Sequence, residues 1–322
     1  MIEINRYSSE DILTWKKTNI KSLYIKIEKN KTTFEVLFKE YSDRAKAVQN
    51  IIINATKKYS VNDVEILINL TDIPFNNPYF LSFSATTNCN INMIPNFSFD
   101  IWKDNGSKNF YEIKEDILSN KISWDDKIDK IFWSGINSYQ IRKKMNKLKI
   151  NSRYEYNLID SYDNPNFKFI PLKDHGNYKY LLDLEGMGYS GRFPYLALTG
   201  SCIIVLQNTD PDRDYRLYYD DKFIENIHYI KIRYDSDTSV DEINNMILQK
   251  IDESNCKEIA ENCQKLAIRY FSEDQISLYI ANILNFYSEK YEKSNIKLNP
   301  EIQYSIINLY KSKLYKIINQ YR

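Results

Sequence analysis

A chain of 322 residues with only 7 glycines has few places where its backbone can turn sharply, and three of the seven fall within six residues: Gly186, Gly188 and Gly191. Before them, residues 178–184 (YKYLLDL) carry the aromatic and aliphatic density of a strand. After them, residues 192–198 (RFPYLAL) read as a short helix, with Pro194 tolerated in its first turn. Thr199 and Gly200 close that helix, and residues 201–206 (SCIIVL) form a buried-strand run. Strand, glycine turn, helix, strand is the signature of an α/β fold.

Such a turn lets a ligand approach the backbone closely. A helix start presents unpaired N–H groups and partial positive charge, which suits a phosphate. Ser190 stands where an N-cap or a hydroxyl donor to phosphate would stand, and Arg192 adds a fork of donors matching phosphate oxygens. The local pattern therefore points to an anion site, a diphosphate above all. It is equally the pattern of an ordinary helix start whose Arg192 is solvated or paired to Glu185.

A second polar position closes an apolar run. Residues 63–72 (DVEILINLTD) are apolar at Val64, Ile66, Leu67, Ile68 and Leu70, the near-continuous run of a parallel strand covered on both faces. Asp72 precedes Ile73-Pro74, so the chain must leave the strand there. A carboxylate at the carboxyl end of a parallel strand points into the crevice where α/β proteins bind ligands. The competing reading is a turn aspartate satisfying local N–H groups.

Composition narrows the classes. With 43% hydrophobic and 27% charged residues the chain is globular, and long enough for two domains. A formal net charge of +1 supplies no global field for nucleic acid. The four cysteines form no C-x-x-C pair and only two histidines exist, which argues against zinc. Asp210-Pro211-Asp212 has a spacing at which paired carboxylates can hold a divalent metal; in the polar stretch after Leu206 it reads as a surface turn, and neither metal nor cofactor is expected. No apolar run approaches a membrane span. Residues 300–318 are amphipathic and are expected to cross back onto the first domain; a peripheral membrane contact through Lys311, Lys313 and Lys316 is the second reading.

The stretch DHGNYKYLLDLEGMGYSGRF resembles glycosyltransferase family 90, the capsule-associated-protein-like family that includes protein O-glucosyltransferases and LpsA proteins. The matching positions are Asp174, His175, Tyr178, Lys179, Tyr180, Gly186, Ser190 and Arg192, and the resemblance runs from about Val64 to about Lys290. It implies a GT-B arrangement of two Rossmann-like domains facing a cleft. The domains would span residues 1–125 (acceptor side) and 126–290 (nucleotide-sugar side), followed by a helical segment over 291–322. It implies inverting, metal-independent transfer from a UDP-sugar, glucose or xylose, to a glycan or glycolipid hydroxyl. A protein O-glycosyltransferase and an inactive nucleotide-sugar or glycan-binding protein are the alternatives.

By the same resemblance Asp72, in the context Asn69-Leu70-Thr71-Asp72-Ile73-Pro74, is the catalytic base. Gly135, Arg142, Asp174, Tyr178, Gly186, Gly188, Ser190 and Arg192 belong to the nucleotide-sugar site. Phe97, Phe99 and Trp102 are acceptor-side candidates that could equally be core. His175 is expected to shape the pocket. Ser134 stands where the family carries an arginine, a departure at the phosphate end. The N-terminal sequence shows no basic segment followed by an apolar core, unlike the secretory eukaryotic relatives, so a cytoplasmic location is expected.

Overall fold

A computed structural model describes residues 6–17, 21–101, 108–159 and 170–292. The chain opens with β1 (Tyr7–Ser8) and α1 (Ser9–Lys16), then the hairpin of β2 (Ser22–Glu28) and β3 (Lys31–Val36). The hairpin turn places Lys29 and Asn30 at φ of 51° and 65°, the paired left-handed geometry of a two-residue turn. In α2 (Ser42–Lys58), Ala45, Val48, Ile52 and Ala55 are buried along one stripe. Next come β4 (Val64–Asn69), β5 (Phe80–Leu81) and α3 (Phe110–Ser119).

These strands form a sheet in the order β3-β2-β4-β5. All six residues of β4 are buried, as its apolar run predicts. Its long pairing, however, is antiparallel, with β2; only the short β5 runs parallel to it. The first sheet is therefore mixed, and a Rossmann-like description of residues 1–125 does not fit it. A continuous apolar run reports that both faces of a strand are covered and carries nothing about the direction of its neighbours.

The second sheet is wholly parallel. It is built from β6 (Ile128–Ile136), β7 (Tyr154–Ile159), β8 (Tyr178–Leu184), β9 (Cys202–Asn208) and β10 (Ile230–Tyr234). Between them lie α4 (Gln140–Met145), α5 (Leu172–His175) and α6 (Phe193–Leu196). The strand order is β10-β9-β8-β6-β7. The chain thus first winds outward from β6 to β7, then returns to the other side of β6 to lay down β8. That reversal opens a crevice at the carboxyl ends of β6 and β8, the place where such sheets bind ligands.

Side chains alternate across this sheet. Ile131, Trp133, Leu182 and Ile204 enter one core, while Phe132, Leu181 and Ile203 enter another. The second of these cores also contains Leu23, Ile66 and Phe99 of the first half. The two sheets are consequently joined by one continuous apolar layer.

The chain ends its described course with α7 (Val240–Glu253), α8 (Cys256–Tyr270), α9 (Glu273–Ser288) and β11 (Tyr291–Glu292). α9 packs on α2 and β4. Asn285 accepts from the Asn62 N–H at 2.9 Å and donates to the Ser60 carbonyl at 3.0 Å, and β11 pairs parallel with β1. The return to the first sheet is made by α9; the helix expected at 300–318 lies outside the described residues, as does Trp102. Among the described residues no helix is long and apolar enough to cross a membrane.

Candidate active site

A cleft of about 320 Å³ opens between the two sheets. Arg44, Asp72 and Phe97 line it from the first half; Gly135, Arg142 and the glycine turn through Arg192 line it from the second.

The first wall begins at the end of β4. Asn69 is buried and folds the turn: its Oδ1 accepts from the Thr71 N–H at 3.0 Å, and its Nδ2 donates to the Ile73 carbonyl at 2.7 Å. Asn69, not Asp72, serves the local N–H groups, so the Asp72 carboxylate is released toward the cleft. There it meets Arg44 from α2, whose Nη1 donates to Oδ1 at 2.8 Å and whose Nη2 donates to Oδ2 at 3.3 Å. The Arg44 guanidinium lies 4.5 Å from the centre of the Phe97 ring.

The second wall is made by arginines bound to backbone. Arg142 donates through Nε to the Glu185 carbonyl at 2.8 Å, through Nη1 to Ile136 at 3.1 Å and through Nη2 to Leu184 at 3.1 Å. It therefore ties the carboxyl ends of β6 and β8 together at the switch point. Arg192 donates Nη1 to the Ser134 carbonyl at 2.6 Å. Both guanidiniums lie over Trp133, at 5.5 Å and 5.0 Å, and Trp133 is itself stacked on Tyr156. Burial, and then the neighbouring Arg192 charge, lower Arg142 to about 10. Two like charges held this close favour an anion between or beside them.

The glycine turn joins the walls. A Cβ added to Gly188 would lie 2.6 Å from both the Cβ and the carbonyl oxygen of Asp72. No side chain fits there, so the turn of the parallel sheet rests directly on the backbone carrying Asp72. Gly135 is confined in the same way: its Cβ would lie 2.9 Å from the Trp133 ring and 3.3 Å from Arg192 Nη1. Gly186 lines the cleft beside Arg142 and Ser138.

Several positions differ from their sequence-based roles. Ser190 lines the cleft, but its hydroxyl is donated to Asp183, a buried carboxylate, while its oxygen accepts from the Arg192 N–H at 3.4 Å. Burial raises Asp183, opposed by Arg192, Ser190 and Arg142. α6 is one turn of four residues with Arg192 at its N-cap, too short to add much dipole. Glu185 pairs with Arg213 at 3.1 Å, not with Arg192. Asp174 and Tyr178 are absent from the cleft lining. They sit at the amino end of β8, where Tyr178 stacks on Phe132 at 4.3 Å. Phe99 is buried against Phe110 and Phe271 and belongs to the core, whereas Phe97 reaches the cleft.

His175 lines the cleft as a buried imidazole against the Phe132 ring. Burial first, then the Arg192 charge, push it down to about 3, so it is neutral near pH 7 and shapes the wall. The Asp210 and Asp212 carboxylates are taken up locally: Asp210 accepts from the Asp212 N–H at 2.9 Å and Asp212 from Asn88 Nδ2 at 2.9 Å. Arg213 of the same turn donates to the Gly186 carbonyl at 3.2 Å and covers the Tyr139 ring at 3.7 Å, bracing the glycine turn.

Arg44, Asp183 and Arg213 were not singled out by sequence. One signal was available: of 44 basic residues only ten are arginine, and Arg44, Arg142 and Arg192 all reach this cleft. Where lysine is the default cation, an arginine marks a position that needs a planar fork.

Comparison with known proteins identifies relatives of this chain. Protein O-glucosyltransferase 1 of Rattus norvegicus is 24% identical over 284 residues, 79% of this chain and 70% of the relative. The Homo sapiens protein of the same name is 23% identical over 275 residues, 77% and 68% of the two chains. Protein O-glucosyltransferase 2 of Danio rerio is 22% identical over 263 residues, 74% of this chain and half of the relative. The profile of glycosyl transferase family 90 matches residues 5–313, extending the resemblance at both ends and taking in α2 with Arg44. The chain is a glycosyltransferase and belongs to glycosyl transferase family 90.

Proposed function

We propose that the protein transfers glucose from UDP-glucose to a hydroxyl acceptor with inversion at the anomeric carbon, in a GT-B-like cleft between the two sheets. The observation that carries this reading is the placement of Asp72 on one wall opposite Arg142 and Arg192 on the other. In the proposed step the acceptor oxygen forms a bond to the anomeric carbon. The bond from that carbon to the diphosphate oxygen breaks, and its electron pair leaves with the UDP. The acceptor proton passes to the Asp72 carboxylate. Arg192, with Arg142 behind it, would offset the charge gathering on the departing diphosphate, a task a metal performs in other transferases. The glucosyl assignment is supported by the names of the relatives, and UDP-xylose is the nearest competitor.

The acceptor is either a glycan or glycolipid hydroxyl, as the sequence led us to expect, or a protein hydroxyl, as in the relatives' names. The exposed Met187 lines the cleft beside Gly188 and would meet whichever acceptor enters. The test is UDP release from a panel of nucleotide sugars in the presence of EDTA, with wild type and Arg192→Ala. Release from UDP-glucose that survives EDTA and is lost in Arg192→Ala is the expected result. Release that stops with EDTA contradicts metal independence, and no turnover of any sugar nucleotide contradicts the reading as a whole.

A further inference from the structure

We infer that Arg44 is a positioning residue for transfer: it fixes the plane of the Asp72 carboxylate so that one oxygen lone pair meets the incoming acceptor hydroxyl. The inference rests on the reading of Asp72 as the base. Arg44 stands in the first turn of α2, 28 residues from Asp72, and its long side chain reaches from there to the turn after β4, at Leu70 and Asp72. Its Nη1 donates to both Asp72 Oδ1 and the Leu70 carbonyl, the latter at 3.0 Å, while Nη2 takes Oδ2. Two donors on two oxygens set the rotation of the carboxylate about its own axis, which one ammonium cannot do.

The guanidinium is in turn held flat by the Phe97 ring at 4.5 Å and by Tyr41 at 5.3 Å. The Gly188 backbone packs closely against the Cβ and main chain of Asp72. Both partners remain partly open to the cleft, at 29% and 36% side-chain exposure. Each carboxylate oxygen has two acceptor positions, so the fork leaves one on each oxygen for substrate. A bare structural tie between α2 and β4 would not require the aromatic backing or the open side.

The experiment measures steady-state UDP release from UDP-glucose by wild type, Arg44→Ala, Arg44→Lys and Asp72→Asn, with and without added guanidinium chloride at millimolar concentration. Expected is a fall in kcat of about 10²-fold for Arg44→Ala with KM for UDP-glucose moved by less than about threefold. Guanidinium is expected to restore part of that loss in Arg44→Ala and none in Asp72→Asn, and Arg44→Lys to remain closer to Arg44→Ala than to wild type. The inference is overturned if Arg44→Ala keeps wild-type kcat while Asp72→Asn loses it. It is also overturned if the loss in Arg44→Ala resists guanidinium and follows a parallel fall in melting temperature, which is the mark of a structural tie. Wild-type kcat in Asp72→Asn would instead remove Asp72 as the base, so the failure of the underlying reading is separately visible.

Discussion

The two walls of the cleft are built on different physical terms. On the parallel-sheet wall, the cations are held by backbone: Arg142 by three carbonyls at the ends of β6 and β8, Arg192 by the Ser134 carbonyl. On the mixed-sheet wall, the proposed base belongs to a side-chain pair, Asp72 with Arg44, partly open to solvent and spanning from α2 to the turn after β4. One wall is integral to the fold, and the other carries an ion pair that water can reach. Chemistry and stability should therefore separate between them, and four outcomes test whether they do.

The largest effect belongs to the ion-pair wall. Asp72→Asn is isosteric, and should lower transfer by about 10²–10⁴-fold while leaving UDP affinity and melting temperature near wild type; kinetics beside calorimetry reads both. Next comes the integral wall. Arg142→Ala strands buried carbonyls that cost about 1–3 kcal/mol each when unsatisfied, so a loss of about 3 kcal/mol in chemical denaturation is expected. Arg44→Ala, whose partners water can reach, should cost about 1 kcal/mol or less. Equal losses in these two variants would erase the distinction.

Gly188→Ala probes the seam. Its methyl would have to displace the Asp72 backbone, at a cost of about 1–3 kcal/mol by overpacking. The loss of kcat should exceed what the fall in stability explains, because the displaced group is Asp72. The last effect, confined to acid pH, is that of His175. With its folded value near 3 and its unfolded value near 6.5, the unfolded chain binds the proton more readily. Its contribution to stability is complete above pH 6.5 and declines as pH falls toward 3. Imidazole resonances of His175 should accordingly show no titration between about pH 5 and 8.

The same contrast explains what the sequence disclosed. The integral wall was legible because it is local: β8, the glycine turn, α6 and β9 follow one another, and each has its own strand, turn or helix chemistry. The end of β4 was legible for the same reason, since Asn69 and Pro74 bracket Asp72 within six residues. The partners were not legible where they come from distant elements. Arg44 reaches Asp72 through tertiary packing, and Ser190 finds Asp183 on the strand before it. Asp174 and Tyr178 lie within the matching stretch yet at the amino end of β8, so linear proximity to Arg192 overstated their nearness to the cleft. Phe97 and Phe99 are two residues apart in a tight turn; one reaches the cleft and the other the core, a division the aromatic pattern alone does not reveal.

Whether donor and acceptor chemistry meet between these walls is tested most directly by a crystal structure of the protein with UDP. The diphosphate is expected against Arg192 at the switch point, with the sugar side of the cleft directed at Asp72. A diphosphate seated on Arg44, or UDP bound anywhere outside the cleft, would contradict it.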